Sequence, residues 1–569
     1  MKSGWTKTHA LILHWLTKFF QPHVWHLFLE REKFRSVLKT RSTKLKAMNF
    51  SRRDFIKTTG FVCGAAALPA WVIETEASEA AAVDKDKLAE IALSRAKALG
   101  VTYADIRINR YRHESIFTRE QQVQNVSRSQ DFGFGVRVLI NGAWGFAASH
   151  LVTPESVRRI TEQAVEIARA NGTYQRKPIK LASAQKVVAD WKSSFKKDPF
   201  DVPTDQKTEF LLKLNQAAMK AKGAGFVTSG LSAQNEQKFF ASTEGSRTDQ
   251  YIIRTLPFFT VTAVNRSAGD FQSRSSLAGP KTIGYEYIED YPWQAEAEKA
   301  GEEAVAKLRA KPVTPGKYDL LLHPSHLWLT IHESVGHSTE LDRALLWEAN
   351  YAGTSFLTPD KTGKLQFGSK ICNFYADRTQ PHGLATVGYD DEGVPAQRWP
   401  LVKDGIFVDW QTTRDLAPLI GHKKSNGCLH ADGWGSVPFP RMPNVSLEPA
   451  KKKVSLEDLA AEVDNGILIY GNGSWSIDQQ RYNFQFGGQT FWEVKKGKIG
   501  EMLRDVAYQS RTTDFWNACD GLGGQETYEL NGAANDGKGE PTQSNAVSHG
   551  CPITRFRQIN VLNTAAKKA

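Results

Sequence analysis

"YDLLLHPSHLWLTIHESVGHSTELD", residues 318–342, reads as an apolar strand that feeds a helix. Pro324-Ser325 follows the strand, and Ser325 is a good N-cap. Leu327, Leu329, Ile331 and Val335 supply the apolar positions of a helix over 325–341. The same helix carries His332, Glu333 and His337. In the familiar H-E-x-x-H pattern the two histidines sit at i and i+4, about 40° apart around a helix. Here they sit at i and i+5, about 140° apart on a regular helix. A local π-bulge would insert one residue and bring both onto one face, and Gly336 would ease the distortion or let the backbone pack closely.

The residue types suit metal chemistry. Neutral imidazoles ligate zinc at about 2.0–2.1 Å. A carboxylate beside the first ligand, Glu333, is the natural general base. The competing reading is two packed or surface histidines, and the i, i+5 spacing alone does not exclude it. His323 and His326 flank the helix start and are expected to pack or cap. Glu340 either orients His337 or lies solvated at the helix end.

Working outward, residues 84–99 have helical periodicity and end at Gly100. Alternating strands follow, with a hairpin turning at Asn141-Gly142, and then a helix from about Thr153 to Ala170. A third helix is expected over 205–223, three strands over about 226–264, and a charged helix before the Pro-Val-Thr-Pro-Gly at 312–316. Beyond it the chain turns rich in Gly, Trp and Asn, with short strands and a hairpin at Asp404-Gly405. The fold class is α+β: an N-terminal α+β domain over 84–312 and a β-rich C-terminal domain over 313–569 that embeds the candidate metal helix.

The 569 residues, with 15 Trp and 30 Phe, are enough for more than one core. No run of about 18 uninterrupted apolar residues is present, so no permanent membrane anchor is expected. "SRRDFIK" (51–57), followed by a weakly apolar stretch rich in Gly and Ala, has the pattern of a twin-arginine signal, with cleavage near Ala77 to Ala82. The expected location is therefore the periplasm or another exported compartment. Residues 1–47 fit that signal badly, and Met48 is the preferred start, with 48–82 as the signal. The net charge of +12 is then mostly leader. Residues 1–47 hold a net +8 and 48–80 a net −1, which leaves about +5 for the mature chain. A nucleic-acid partner loses its main support. Four cysteines remain after the signal, Cys372, Cys428, Cys519 and Cys551, without C-x-x-C spacing. A zinc ribbon is excluded, and one or two disulfides remain open.

"HESVGHSTELD" resembles the H-E-x-x-x-H motif of the TldD/PmbA family, also described as modulators of DNA gyrase. "GFGVRVLINGAWGFAAS", "DDEGVPAQRWPLVKDGIF", "DFWNACDGLG" and "GKGEPTQSNAVSHGCPITRFRQINVLN" extend the resemblance over nearly all of the chain from about residue 84. It implies a TldD-type zinc metallopeptidase with His332 and His337 as ligands and Glu333 as base. The family's third ligand is a cysteine in a Cys-Gly-Lys stretch; here the stretch is "NDGKGEP", so Asp536 stands in its place. An aspartate can ligate zinc through oxygen, as a harder donor than a thiolate. Cys519 and Cys551 are the fallback ligands, with inert buried thiols as the bland alternative. His549, in "SHGCP", is a candidate for substrate contact, and a structural turn histidine is the competing reading. His422 and His430 are candidates for a cleft rim.

The implied activity is hydrolysis of short or unfolded peptides, by a homodimer or a heterodimer with a PmbA/TldE-type subunit. The alternative is a scaffold or peptide-binding subunit whose metal site has decayed at Asp536. A gyrase-modulator role conflicts with the export signal.

Overall fold

The computed structural model describes residues Val83–Ala565. The signal and leader readings fall outside them. Asp84 onward forms a single compact unit. Helix α1 (Lys85–Ala98) starts where the Asp84 carboxylate accepts from Lys87 N–H. Strands β1 (Tyr103–Arg119), β2 (Gln122–Ile140) and β3 (Ala143–Ser149) follow, then α2 (Pro154–Gly172), capped by Thr153. The β2–β3 hairpin turns at Asn141-Gly142, both with positive φ, as a two-residue loop requires. Next come β4 (Val188–Lys192), α3 (Thr204–Ala218), β5 (Ala224–Ser242), β6 (Arg247–Asn265), β7 (Asp270–Ser275) and α4 (Trp293–Lys307).

Among the described residues these strands make one sheet in the order β3-β2-β1-β5-β6-β4, with β7 also on β6. Residues 226–264 form two long strands rather than the expected three. Alternation runs on through β5 and β6, and the only turn is the segment Thr243–Ser246 between them. Helices α3 and α4 pack together on β5 and β6 through Leu211, Leu214, Ala297, Ala300 and Phe259.

The second half is built around β8 (Gly316–Leu322), a central strand of a mixed sheet. It lies parallel to β10 (Asn465–Tyr470), numbered after β9 (Asn444–Leu447), and antiparallel to β13 (Thr554–Asn563). Leu320, Leu321 and Leu322 are all fully buried, as a strand covered on both faces demands. A separate hairpin, β11 (Glu529–Lys538) with β12 (Gln543–Cys551), packs over the helix that follows β8. The two halves are tied by ion pairs, a buried one with Lys238 2.7 Å from Asp391, and one in which buried Arg414 bonds to the exposed Glu244 at 2.8 and 2.9 Å. No helix among the described residues is long and apolar enough to cross a membrane. Cys372, Cys428, Cys519 and Cys551 are all free and buried, so the disulfides left open by the sequence are not formed.

Candidate metal centre

The site begins at the end of β8. His323, not Ser325, is the N-cap: its Nδ1 accepts from Ser325 N–H, and Pro324 occupies the first helical position. Ser325 instead accepts Gly471 N–H on its hydroxyl. The helix α5 (Pro324–Ile331) is buried on every side. His326 is spent inside it, with Nδ1 on Gly471 O and Nε2 on Tyr508 Oη, both at 2.9 Å.

The helix does not run on to residue 341. From His332 to Gly336 it widens into a π turn, closed by His337 N–H on the carbonyl of His332. A short 3₁₀ turn, His337–Thr339, then ends it. This is the bulge that the i, i+5 spacing called for, and it brings the two imidazoles to 4.5 Å between ring centroids. Gly336 has an ordinary helical φ of −55°, so its role is close packing. A Cβ there would lie 2.4 Å from Met442 Sδ.

Asp536 arrives on β11 at a β-bulge, where the register against β12 shifts between Ala533 and Asp536. Its Oδ1 lies 3.6 Å from His332 Nε2 and 3.5 Å from His337 Nε2. These separations exceed a normal hydrogen bond. They match the roughly 3.3–3.5 Å edge of a tetrahedron of N and O donors about 2.0–2.2 Å from a common ion. The three donor atoms lie within 4.8 Å of one another, so the residues present fit a metal ion.

The hydrogen bonds behind the donors point the same way. His549 Nδ1 lies 2.8 Å from the carbonyl of Val445 and must donate to it. Burial and the neighbouring His332 hold the His549 pKa well below its ordinary value, so its Nε2 is an acceptor. His332 Nδ1, 2.8 Å away, is then the donor, which leaves Nε2 as the nitrogen facing Asp536, its lone pair free for a ligand in the neutral ring. Similarly, His337 Nδ1 donates to Glu340 Oε2 at 2.8 Å. Burial, Arg343 and Arg481 keep the His337 pKa well below normal. Glu340 is thus the orienting partner and not a solvated helix-end residue. His549 is neither a turn residue nor open to substrate: it is fully buried on β12, with both ring nitrogens engaged.

Each carboxylate of the site has one oxygen held by an arginine, fully buried for Arg441 and Arg343 and half-buried for Arg481. Asp536 Oδ2 accepts from Arg441 Nη2 at 3.1 Å, Glu333 Oε2 pairs with Arg481 Nη1, and Glu340 Oε2 pairs with Arg343 Nε. Lys538 adds bonds to Glu340 Oε1 at 3.0 Å and Asp342 Oδ2 at 2.7 Å. Burial raises the Asp536 pKa, but His337, His332 and Arg441 outweigh it and hold the group below the usual carboxylate range. Sequence reasoning missed all of these cations. Lys538 had a signal in its place two residues after Asp536; the three arginines had none.

The fallback ligands lie outside the cluster. Cys551 points its thiol toward the carbonyl of Pro324 at 4.0 Å, and Cys519 is buried at the start of a strand. His430 is buried beside Lys238 Nζ at 3.4 Å and forms no cleft rim; His422 lies 3.7 Å from Asp409.

Three profiles of one family match the chain in order. They are the PmbA/TldA metallopeptidase domain 1 over residues 104–168, the central domain over 197–310 and the C-terminal domain over 315–563. The chain belongs to the PmbA/TldD metallopeptidase family. A curated metalloprotease of Methanothermobacter thermautotrophicus is 28% identical over 467 residues, which are 82% of this chain and 96% of that protein. A zinc metalloprotease TldD homolog of Saccharolobus solfataricus is 22% identical over 82% of this chain and 98% of its own length. The solved structure of a Thermotoga maritima protein, described as a candidate modulator of DNA gyrase, superposes with a TM-score of 0.67. It is 18% identical and covers 84% of this chain and all of that one, a likeness that shows the fold alone. Within this PmbA/TldD member the metalloprotease-type cluster is intact as His332, His337 and Asp536, all buried.

Proposed function

We propose that this PmbA/TldD member is an exported zinc metallopeptidase that hydrolyses short or unfolded peptides. The observation that carries the reading is the convergence of His332 Nε2, His337 Nε2 and Asp536 Oδ1, with Glu333 next in sequence to the first. These three residues would hold the ion. Two imidazoles and one carboxylate are a donor set of catalytic zinc sites that keep a fourth position open. The S. solfataricus relative is named a zinc metalloprotease, which supports the same ion. When bound, zinc would supply Lewis acidity, making water a nucleophile near neutral pH and polarising the peptide carbonyl.

The protein's own groups do the rest. Arg481 fixes Glu333 by Oε2 and leaves Oε1 to take a proton from the attacking water and return it to the leaving amine. His549 and Glu340 hold the two imidazoles in the ligating tautomer and orientation. An extended peptide would add to the outer edge of β11, which among the described residues pairs only with β12 and leads to Asp536. Main-chain bonds of that kind recognise any sequence, which accounts for broad specificity. Export rests on the twin-arginine pattern at 51–57. A homodimer, or a heterodimer with a PmbA/TldE-type subunit, is the proposed assembly, with this chain as the catalytic member. The ordered convergence of the three donors speaks against a decayed scaffold subunit.

The test is metal analysis of the mature protein beside digestion of a peptide library, for the wild type and Glu333→Gln. One zinc per chain in both, with hydrolysis only in the wild type, is expected. A zinc-free wild type would favour the scaffold alternative, and full turnover by Glu333→Gln would remove Glu333 as base.

A further inference from the structure

We propose that Arg441 determines the metal specificity of this centre by confining Asp536 to a single ligating oxygen. The inference rests on the proposed metal centre and adds a residue to it. A carboxylate has two oxygens, and an unrestrained aspartate can offer an ion either one or both. Here Oδ1 faces both imidazole nitrogens, while Oδ2 is bonded to Arg441 Nη2 at 3.1 Å. The same guanidinium nitrogen reaches the main-chain carbonyl of Asp536, and Nη1 donates to the carbonyl of Gln543 at 2.7 Å. Arg441 therefore spans β11 and β12 next to the bulge that delivers Asp536, and its side chain is fully buried. Its planar fork fixes direction as well as charge.

The consequence is selective. Zinc is satisfied by four donors in a small tetrahedron. Calcium takes six to eight oxygens and uses carboxylates in one- or two-oxygen modes, and manganese shares the preference for oxygen donors. Withholding Oδ2 takes an oxygen donor from those ions and costs zinc nothing. Removing the arginine also removes a positive charge, which strengthens binding of every divalent ion. That effect cancels in the ratio of two affinities, so the ratio is the informative quantity.

The experiment measures Mn²⁺ and Zn²⁺ dissociation constants on the full mature chain, by electron paramagnetic resonance and by chelator competition. The proteins are wild type, Arg441→Met, Arg441→Lys, Asp536→Cys and the Asp536→Cys/Arg441→Met double variant. The ratio Kd(Mn)/Kd(Zn) is expected to fall at least tenfold in Arg441→Met. In the Asp536→Cys background the same change is expected to move it less than threefold, because a thiolate has no second oxygen to release. Arg441→Lys keeps the charge but cannot span Asp536 and Gln543, so its ratio should fall several-fold; it decides the matter where the methionine variant does not fold. An unchanged ratio, or an equal fall in both backgrounds, overturns the role of Arg441. A wild type that binds neither ion refutes the metal centre itself, a separate failure.

Discussion

Replacing His549 by phenylalanine separates two roles that one histidine near a metal centre can play. The ring stacks on Trp328 with centroids 6.1 Å apart and planes 8° from parallel, so phenylalanine keeps the shape and most of the packing. What is lost is the acceptor for His332 Nδ1–H, now 2.8 Å from His549 Nε2. A buried donor without a partner costs about 1–3 kcal/mol. His332 can escape that cost by moving its proton to Nε2, the nitrogen that faces Asp536, and a protonated nitrogen cannot ligate. Either way the metal-binding form becomes less favourable by about 1–3 kcal/mol, or roughly 5- to 150-fold in zinc dissociation constant. That range overlaps the 10- to 100-fold typical of residues that orient metal ligands. Competition with a chromophoric chelator measures the constant. Steady-state kinetics at saturating zinc should leave KM close to wild type, since His549 is fully buried and cannot meet substrate. An unchanged zinc affinity with a raised KM would refute the reasoning and return His549 to the substrate.

Asp536→Ala should lose zinc, while Asp536→Cys should retain it; inductively coupled plasma analysis after dialysis checks both. A metal-replete alanine variant would move the third ligand elsewhere. Gly336→Ala places a Cβ 2.4 Å from Met442 Sδ and should cost about 1–3 kcal/mol. Urea melts of Gly336→Ala, Met442→Ala and the pair should show strong coupling, and simple additivity would exclude the contact. Burial pushes the pKa of His326 down from 6.5 to about 4, with the bond to Gly471 opposing. Between those values the unfolded chain binds a proton that the folded chain does not. The stabilisation is therefore complete above the unfolded pKa and lost as pH falls through about 4, roughly 3 kcal/mol in all. His326→Gln should flatten the fall of unfolding free energy between pH 6.5 and 4 in chelator-treated protein; an identical profile would show that this ring does not titrate as described.

Much of this protein is local, and the local parts were legible in its residues. The hairpin at Asp404-Gly405 needs positive φ at two adjacent positions, and both adopt it. His332, Glu333 and His337 lie within one turn and a half of chain, so a shared metal-binding face required a π turn, and the backbone adopts one. The merging of three expected strands into β5 and β6 shows where such reading stops. Period-2 alternation marks a strand but not its end, and the end depends on which neighbour it pairs with.

The rest needed distant partners. His332 meets His549 from 217 positions away. Asp536 reaches the histidines at a register shift between the two strands of its hairpin, while Cys519 sits on a different strand, paired with β13. Whether Glu340 met solvent or an imidazole was set by Arg343 and Lys538 closing over it. Sequence alone determined which residues could bind a metal, because ligand chemistry and helical spacing act over a few residues. Only tertiary structure decided which of them converge, because sheet register and the pairing of buried charges join parts of the chain that no local pattern connects.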